Sequence, residues 1–329
     1  MESNSNEAVD LKELDSKDYK ILRELDSDFR QSFSKIGKNV GLSKNSVALR
    51  FEKLKKFMLH NMTGLNNEVI GYTHIKVYYS FDFYDEHVEK MIIDEIKKNK
   101  NIRWVEKFYG TYDISLCLMV KNIDEMISQI NSFDLKFAHK INKKEIQIFN
   151  EQNYFRYNFL HEKPLNWVSK IKYDEKEVEI TKLDKRILHQ MLYNPRANVI
   201  DVAKALGVSY KTVSKRLRAL ESSGVIMGYF MTLDAKRFGY NTFKILVQVH
   251  NPKQAKELED YLFSLKNVKY FAKMIGAWDY EIDFIYPNMT DLQNQLEYIK
   301  QKFPNMIRKI EIESLMKRIV TNKKDFFEN

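Results

Sequence analysis

The fold follows from the stretch Leu206-Gly-Val-Ser-Tyr-Lys-Thr-Val-Ser-Lys-Arg-Leu-Arg-Ala-Leu220. Gly207 can end a helix in the left-handed conformation, and Ser209 is a good N-cap for the helix that follows. Leucine and valine then recur at helical spacing and form one apolar face. The opposite face is polar and basic. This pattern is typical of the DNA-reading helix of a helix-turn-helix, but an ordinary amphipathic helix with a solvated basic face has it too.

Length and composition limit what surrounds this stretch. The chain has 329 residues and a net charge of +9, which allows several domains and suits a polyanionic partner. Its single cysteine, Cys117, lies in an apolar run, which predicts a buried thiol in a reducing cytoplasm. No apolar run approaches the roughly 20 residues that span a bilayer, and the N-terminus lacks the apolar segment of a signal peptide. We therefore expect a cytoplasmic protein that does not bind a membrane.

The sequence repeats itself with an offset of 166 residues, which places Gly41 on Gly207 and Arg50 on Arg216. The same offset places Gly110-Thr-Tyr-Asp113 on Gly276-Ala-Trp-Asp279. A register that is shared over so long a span indicates an internal duplication.

Each half has the same order of predicted elements. In the second half, three helices and an alternating strand at Gly224–Asp234 predict a winged helix-turn-helix. The order β-α-β-β-α-β then predicts a ferredoxin-like sandwich from Phe243 to Leu315, in which Pro252 opens the first helix. The apolar and aromatic strands suggest that the two sheets cover one another. The first half repeats this order at His74–Phe81, Glu86–Lys98, Ile102–Tyr109, Tyr112–Val120, Ile123–Lys136 and Lys143–Phe149.

We therefore predict an α+β fold with two copies of a winged helix-turn-helix, each followed by a ferredoxin-like βαββαβ sandwich. The helix-turn-helix units are predicted at residues 1–64 and 181–238, and the sandwiches at 70–160 and 239–329. Residues 161–180 form the linker, and the aromatic run Tyr154–Phe159 extends the last strand before it. The first copy lacks the glycine-rich wing sequence of the second, because Lys55–Gly64 replaces Glu221–Tyr229.

This arrangement resembles the Lrp/AsnC (feast/famine) family of transcription regulators. The similar residues are Ile180–Leu188 at the first helix, Gly224-Val-Ile-Met-Gly-Tyr229, Phe238-Gly-Tyr240 and Gly276-Ala-Trp-Asp-Tyr280. The resemblance is good over residues 180–320 and weaker over 14–150. It implies a helix-turn-helix that binds double-stranded DNA and a sandwich (RAM) domain that dimerises and binds an amino-acid-like effector. Family members usually carry one copy of each domain. Two copies imply a covalent pseudo-dimer, which leaves further homo-oligomers open.

The candidate DNA-binding residues lie at the N-termini and outer faces of the two recognition helices. Residues at these positions meet base edges or phosphates. The first helix, predicted over Ser43–Phe57, has a net charge of +4 when Lys53, Lys55 and Lys56 are included. Two helix-turn-helix units with different recognition helices predict an asymmetric operator, whose half-sites lie about one helical turn, or a multiple of it, apart. The alternative is a helix-turn-helix that is kept only for packing. The candidates are Ser209, Tyr210, Lys211, Thr212, Ser214, Lys215 and Arg218, with Ser43, Lys44, Asn45, Ser46 and Arg50 in the first copy.

The resemblance places effector binding at the two glycine loops, with an aspartate that holds an amine. The structural alternative is a glycine for the turn, an aspartate that caps it and an aromatic residue in the core. The loops differ in sequence, so one site can have been lost. The candidates are Gly276, Ala277, Trp278 and Asp279, with Gly110, Thr111, Tyr112 and Asp113 in the first copy.

An enzyme is the alternative function, because siroheme decarboxylases share this two-domain plan. Such a site needs histidine and basic groups in the sandwich cleft, for which His74 and His250 are the candidates. They belong to no clustered motif, so we predict that the chain is not an enzyme. We also predict neither a metal nor a cofactor, because the sequence has no cysteine pair, no His-x-x-x-His and no glycine-rich phosphate loop.

Overall fold

The computed structural model describes residues 13–99, 101–161, 169–172, 177–250 and 255–320. The first half contains α1 (Ser16–Ser27), α2 (Phe33–Val40), α3 (Lys44–Leu54), β1 (Met58–Leu65), β2 (Thr73–Phe81), α4 (Glu86–Ile96), β3 (Ile102–Tyr109), β4 (Ile114–Val120), α5 (Ile123–Phe137), β5 (Ile141–Tyr154) and β6 (Ser169–Lys172). The second half contains α6 (Lys182–Met191), α7 (Val199–Leu206), α8 (Tyr210–Ser222), β7 (Ile226–Leu233), β8 (Asn241–Val249), α9 (Lys256–Ser264), β9 (Val268–Gly276), β10 (Tyr280–Tyr286), α10 (Met289–Lys302) and β11 (Ile307–Val320). The predicted α+β class and order of elements are confirmed.

Two boundaries differ from those that the sequence predicts. The first recognition helix ends at Leu54, and a 3-10 turn covers Lys55–Phe57. The extension of β5 stops at Tyr154, before a 3-10 turn at Asn158–Leu160. The predicted helix start at Pro252, the first twelve residues and much of the linker lie outside the described residues.

Each half has a four-stranded antiparallel sheet with two helices on one face. The strand order is β5-β2-β4-β3 in the first sandwich and β11-β8-β10-β9 in the second. Alternate residues of each strand face the helices, because successive side chains point to opposite faces of a sheet. Residues such as Val77 and Leu116 thereby form one helix-covered core, and Ile245 and Ile282 form the other.

The two sheets also join at both edges and enclose a shared interior. The first part of β5 pairs with β2 and its second part with β9, while β11 pairs with β8 and then with β3. A strand of 14 residues is about 46 Å long, enough to serve both sheets. The eight strands β2-β4-β3-β11-β8-β10-β9-β5 therefore form a closed antiparallel sheet. The prediction that the sheets cover one another did not include this closure.

The wings are not separate hairpins, because β1 pairs antiparallel with β7 of the other half. We call α1–α3 the first head and α6–α8 the second head. Met231 and Leu233 of β7 pack into the core of the first head, and Leu65 and Val69 of the first half pack into the core of the second. The predicted boundaries at residues 64 and 238 thus cut through both cores, because each head is completed by the opposite half.

The shared interior contains a buried charge network. It consists of the cations Lys76, Lys244 and Arg318 and the carboxylates Glu106, Glu281 and Asp283. Lys76 Nζ lies 2.9 Å from Glu106 and 2.7 Å from Glu281, and Lys244 Nζ lies 2.5 Å from Glu281 and from Asp283. Burial by itself raises the pKa of Glu281, but Lys244 and Lys76 outweigh this and hold the pKa at about 2. The network joins the halves, because Lys76 and Glu106 come from the first and the rest from the second.

Candidate nucleic-acid interface

The second recognition helix begins as its sequence predicts. Gly207 ends α7 in the left-handed conformation with a φ of 68°. Ser209 then caps α8, because its Oγ accepts a hydrogen bond from the backbone N–H of Thr212 at 3.1 Å. Val213 and Leu217 are buried in the core of the second head, which leaves the polar face of α8 outward.

Three cations lie exposed on this outer face, namely Lys211, Lys215 and Arg218. Among the described residues, no carboxylate lies within ion-pair distance of any of them. Tyr210 beside them is 54% exposed, while Thr212 and Ser214 are half-buried. The outer face of α8 therefore presents an array of uncompensated positive charge of the kind that binds phosphates.

Arg216, in contrast to these three cations, forms an ion pair within its own head. Its guanidinium donates to both carboxylate oxygens of the buried Asp184 on α6, and Nε lies 2.6 Å from Oδ1. Asp184 also caps α6 with Thr181. The pair fixes the recognition helix to the first helix of its head. The 166-residue repeat could have predicted this ion pair, because an aspartate and an arginine, Asp18 and Arg50, stand at the matching positions of the first half.

The first recognition helix differs from the prediction in its charge. Ser43 caps α3, and Lys44 and Asn45 are exposed, with Ser46 half-buried. Arg50 is not free to bind DNA, because its guanidinium lies 2.7 Å from Asp15 and 2.8 Å from Asp18. The same pairing holds the pKa of Asp15 below its usual value.

The other basic residues of this segment are also paired. Lys53 lies 3.1 Å from Asp18, Lys55 lies 2.6 Å from Glu52, and Lys56 pairs with Glu13. The predicted net charge of +4 is therefore misleading, because acidic residues outside the counted stretch neutralise most of it. Lys44 is left without an ion pair among the described residues.

The outer faces of the two recognition helices are thus unlike. In the repeat register, Asn45 stands where the second head has Lys211, Leu49 where it has Lys215, and Glu52 where it has Arg218. Leu49 is 75% exposed, so this position faces solvent and not a core.

Two matching arginines hold the heads together. Arg30 of the first half donates to the carbonyl oxygens of Pro195 at 2.5 Å and Ala197 at 3.3 Å. Arg196 donates in return to the carbonyl oxygens of Gln31, at 2.9 Å, and Phe29. The repeat aligned these arginines, but the sequence did not reveal that each one reaches the opposite head.

The glycine loops, Gly110–Asp113 and Gly276–Asp279, are built mainly as turns. Asp113 Oδ2 accepts a hydrogen bond from the Phe81 N–H at 2.8 Å, and Asp279 Oδ2 accepts one from the Val249 N–H at 2.8 Å. The expected role of these aspartates as amine ligands is therefore not supported, because the backbone already uses an oxygen of each. The structural alternative describes them better.

The two glycine loops nevertheless come together in the shared interior. Trp278 and Tyr112 are buried, and Trp278 Nε1 lies 3.3 Å from the Tyr112 hydroxyl oxygen and donates to Glu145 at 2.8 Å. Gly276 has a φ of 152°, and a Cβ at this position would lie only 2.5 Å from the carbonyl oxygen of Ile146. Ala277 and Thr111 complete these turns, and the Thr111 hydroxyl donates to Glu311 at 2.7 Å. The loops pack against the last strand of the opposite half.

The two histidine candidates lie in unlike surroundings. His74 is buried in the shared interior, where its ring stacks on Phe149 and Nδ1 lies 2.9 Å from Gln152. Burial lowers the pKa of His74 to about 3, and Lys76 contributes. His250 is exposed at the end of β8. In the described ranges, no group of three His, Cys, Asp or Glu side chains could hold a metal ion, and no helix is long and apolar enough to cross a membrane.

Two family models match the chain, and each covers one head. The AsnC-type helix-turn-helix domain matches residues 14–55, and a winged helix-turn-helix DNA-binding domain matches residues 180–227. The chain is therefore a helix-turn-helix protein with two copies of this unit.

Its relatives specify the family. A helix-turn-helix transcriptional regulator of Pyrococcus abyssi is 27% identical over 113 residues, which are 34% of this chain and 77% of the relative. The regulator LrpA of Pyrococcus horikoshii is 32% identical over 27% of this chain and 64% of LrpA. The proline dehydrogenase transcriptional activator of Rhodobacter capsulatus is 31% identical over 30% of this chain and 65% of the activator. The chain is similar to DNA-binding transcription regulators of the Lrp/AsnC type, and it carries their helix-turn-helix unit twice.

The chain also resembles solved structures. The siroheme decarboxylase NirDL superposes with a TM-score of 0.65 and 13% identity over 95% of this chain and 96% of its own. AsnC of E. coli matches 44% of this chain and 99% of its own with a TM-score of 0.40 and 24% identity. At 13% identity, the likeness to NirDL establishes a shared fold of two fused halves and nothing about activity.

Proposed function

We propose that the chain is a single-chain pseudo-dimer that regulates transcription by binding an asymmetric DNA operator through two non-identical heads. The second head makes most of the phosphate contacts. One observation carries the proposal: α8 presents three cations without a carboxylate partner in the described parts of the chain, whereas Arg50, Lys53, Lys55 and Lys56 around α3 are ion-paired and only Lys44 is not. The proposed contacts are Ser209, Tyr210, Lys211, Thr212, Ser214, Lys215 and Arg218 in the second head, and Ser43, Lys44, Asn45 and Ser46 in the first.

Three features support a fixed pair of heads. The strands β1 and β7 pair with each other, Arg30 and Arg196 each bind the opposite head, and the closed sheet joins the two sandwiches. A fixed pair of heads favours DNA sites with a fixed spacing, as in dimeric helix-turn-helix proteins.

Selection of bound DNA from a random pool tests this function. We expect a motif with two unlike halves, whose centres are about 10.5 base pairs or a multiple of this apart. The second half-site should hold most of the sequence information. A perfect palindrome would contradict the unlike heads, and a pool without any motif would contradict specific DNA binding.

Substitutions in the two heads should have different effects on the salt dependence of binding. Lys215→Gln should weaken binding to all sequences and lower the slope of log K against log salt by about 1, because one phosphate contact is lost. Leu49→Lys should raise that slope by a similar amount, since it gives the first head the lysine of the second. Fluorescence anisotropy on the selected DNA measures both slopes.

Lys300→Gln is the control for charge alone, because Lys300 is exposed on α10, away from both heads. It should leave the slope unchanged. A Lys215→Gln variant with the wild-type slope would show that α8 does not meet phosphates.

Control by an amino-acid-like effector at the glycine loops stays a prediction. The aspartates are engaged with the backbone and the aromatic residues are buried, so the loops would have to open to admit a ligand. Calorimetric titration of the whole chain with single amino acids tests this. The absence of saturable heat would leave regulation to another site.

The likeness to NirDL over the whole chain favours one second candidate, decarboxylation of a tetrapyrrole. This function would need basic and histidine side chains in one cleft, and the chain does not bring His74 and His250 together. Titration with iron-uroporphyrin III, an analogue of which NirDL binds, distinguishes the two functions. A saturable shift of the porphyrin absorption band would favour the enzyme.

A further inference from the structure

A cavity of about 260 Å³ lies between the segment that follows β5 and the second sandwich. Both halves of the chain line it. The segment that follows β5 supplies one wall, and the starts of β8 and β9 and the end of β10 supply the others. Lys269 and Gly276 are at opposite ends of β9, about 23 Å apart along the strand, so this cavity is separate from the glycine loops.

Three cations line the cavity, namely Arg156, Lys266 and Lys269. Among the described residues, none of them has a carboxylate within ion-pair distance. Lys269 Nζ donates to the Phe155 carbonyl oxygen and lies 3.8 Å from the ring centroid of Tyr157. Burial lowers the pKa of Lys269 to about 8, which Asp26 opposes and Arg156 reinforces. A cation that is desolvated in this way is stabilised by a bound anion.

The carboxylate that acts on Lys269, that of Asp26 on α1, is already engaged. Asp26 accepts a hydrogen bond from the Tyr157 N–H at 3.0 Å, and its Oδ2 lies 3.1 Å from His161 Nε2. No carboxylate is among the residues that line the cavity. This excess of positive charge favours an anionic ligand.

Aromatic rings form the apolar part of the cavity wall. Phe159 stacks on Tyr240 with 4.8 Å between the ring centroids, and it meets the edge of Tyr157 at 5.5 Å. Ligand pockets with apolar walls and a few charged groups bind molecules that are amphipathic in the same way. The volume is small for such pockets, which limits the ligand to a single ring or a similar group.

We propose that this cavity binds a small organic anion with a flat apolar group, such as an aromatic carboxylate or an aromatic phosphate monoester. Arg156, Lys266 and Lys269 bind the anionic group, and Tyr157 and the stacked pair Phe159 and Tyr240 contact the flat group. His161 and Tyr157 also bind Asp26 of the first head, so the ligand stabilises this head on the second sandwich.

Calorimetric titration of the whole chain with benzoate and with phenyl phosphate tests the proposal, and benzyl alcohol serves as the neutral analogue. Lys266→Gln and Lys269→Met should each weaken anion binding roughly tenfold, the loss expected for one charge-assisted contact. Lys266 is exposed, so its replacement does not disturb the core. The result for Lys266→Gln is therefore independent of any effect on packing at the half-buried Lys269. Lys300→Gln removes the same charge elsewhere and should leave the affinity unchanged.

Saturable binding of either anion that Lys266→Gln weakens supports the proposal, and the preferred anion identifies the ligand class. Three results would overturn it. They are the absence of saturable heat with both anions, equal affinity for benzyl alcohol, and an equal loss of affinity in Lys266→Gln and Lys300→Gln. Because no DNA is present, the result does not depend on the proposed operator.

Discussion

Glu313 and Gln147 stand at equivalent positions of the two halves and hold equivalent loops, but only Glu313 can change its charge. Glu313 accepts a hydrogen bond from the Thr111 N–H at 3.1 Å, and Gln147 accepts one from the Trp278 N–H at 3.4 Å. Burial raises the pKa of Glu313 from 4.5 to about 7. Glu311 and Asp113 nearby add to this rise, while the N–H groups of Tyr112 and Thr111 oppose it.

Glu313→Gln should therefore change how stability depends on pH. Between pH 4.5 and about 7 the folded wild-type chain binds more protons at this site than the unfolded chain does, so its stability falls as the pH rises through that window. Glutamine does not titrate, and the melting temperature of the variant should exceed that of the wild type above pH 7 but not near pH 4.5. Thermal unfolding over a series of pH values checks this.

The reverse substitution, Gln147→Glu, is the matched control. It places a second titrating carboxyl in the equivalent site and should steepen the loss of stability with rising pH. Parallel pH profiles for the wild type and Glu313→Gln would contradict the assignment.

At the residue scale, sequence reasoning succeeded where the cause is local. The cap at Ser209 and the outward position of Lys211 and Lys215 depend on neighbours within the same helix. It failed for Arg50, because the carboxylate of Asp15 that binds it lies 35 residues away. It left open whether the loop aspartates bind an amine or cap their turns, since their backbone partners belong to other segments.

At the scale of elements, the exchange of β1 and β7 between the halves is the main departure from the prediction. Period-two alternation correctly predicted a strand after α8, but a strand does not reveal its partner. The reciprocal contacts of Arg30 and Arg196 could not be predicted from the sequence for the same reason, because they join segments about 165 residues apart.

Arg196→Gln should loosen this pairing of the heads. The guanidinium binds the carbonyl oxygens of Gln31 and Phe29 and covers the ring of Phe33 at 4.3 Å. Its loss leaves these carbonyl groups without their donor and should lower the free energy of unfolding by about 1–3 kcal/mol. Urea denaturation measures the change. Arg308→Gln, at an exposed position near the start of β11, should have no effect, and an equal loss in both variants would exclude the inter-head contact as the cause.

At the scale of the molecule, the buried charge network breaks the symmetry of the duplication. Under the 166-residue offset, Glu106 corresponds to Ala272, Glu281 to Ser115 and Asp283 to Cys117. The three carboxylates thus have no counterparts in the opposite half. The network specifies the pairing of these two unlike halves. Its lysines could not be predicted to be buried, because a lysine in a sequence normally indicates an exposed position.

Glu281→Gln should strongly destabilise the whole chain. The side chain binds Lys76 at 2.7 Å and Lys244 at 2.5 Å, and its loss leaves two buried ammonium groups poorly compensated. Breaking a buried ion pair in this way costs about 3–5 kcal/mol, which chemical denaturation can measure. Glu257→Gln on the exposed side of α9 is the control. A loss below 1 kcal/mol, roughly the value of a surface pair, would show that the network does not join the halves.

The order of elements and the fold class could be predicted, because the repeat and the helix and strand periods depend on short stretches. Closure of the eight strands could not, since it depends on the final residues of β5 and β11, which pair with the opposite half.

The intramolecular pairing of β5 with β9 and of β11 with β3 has a consequence for how the protein behaves at low abundance. Two separate subunits dissociate on dilution, and their occupancy of a DNA site then falls with the square of their concentration. If the proposed function holds, both heads stay paired in every molecule, and occupancy falls only in proportion to copy number. The covalent link and the pairing of β5 with β9 and of β11 with β3 would also keep the two heads of one chain together, whereas separate subunits can exchange partners.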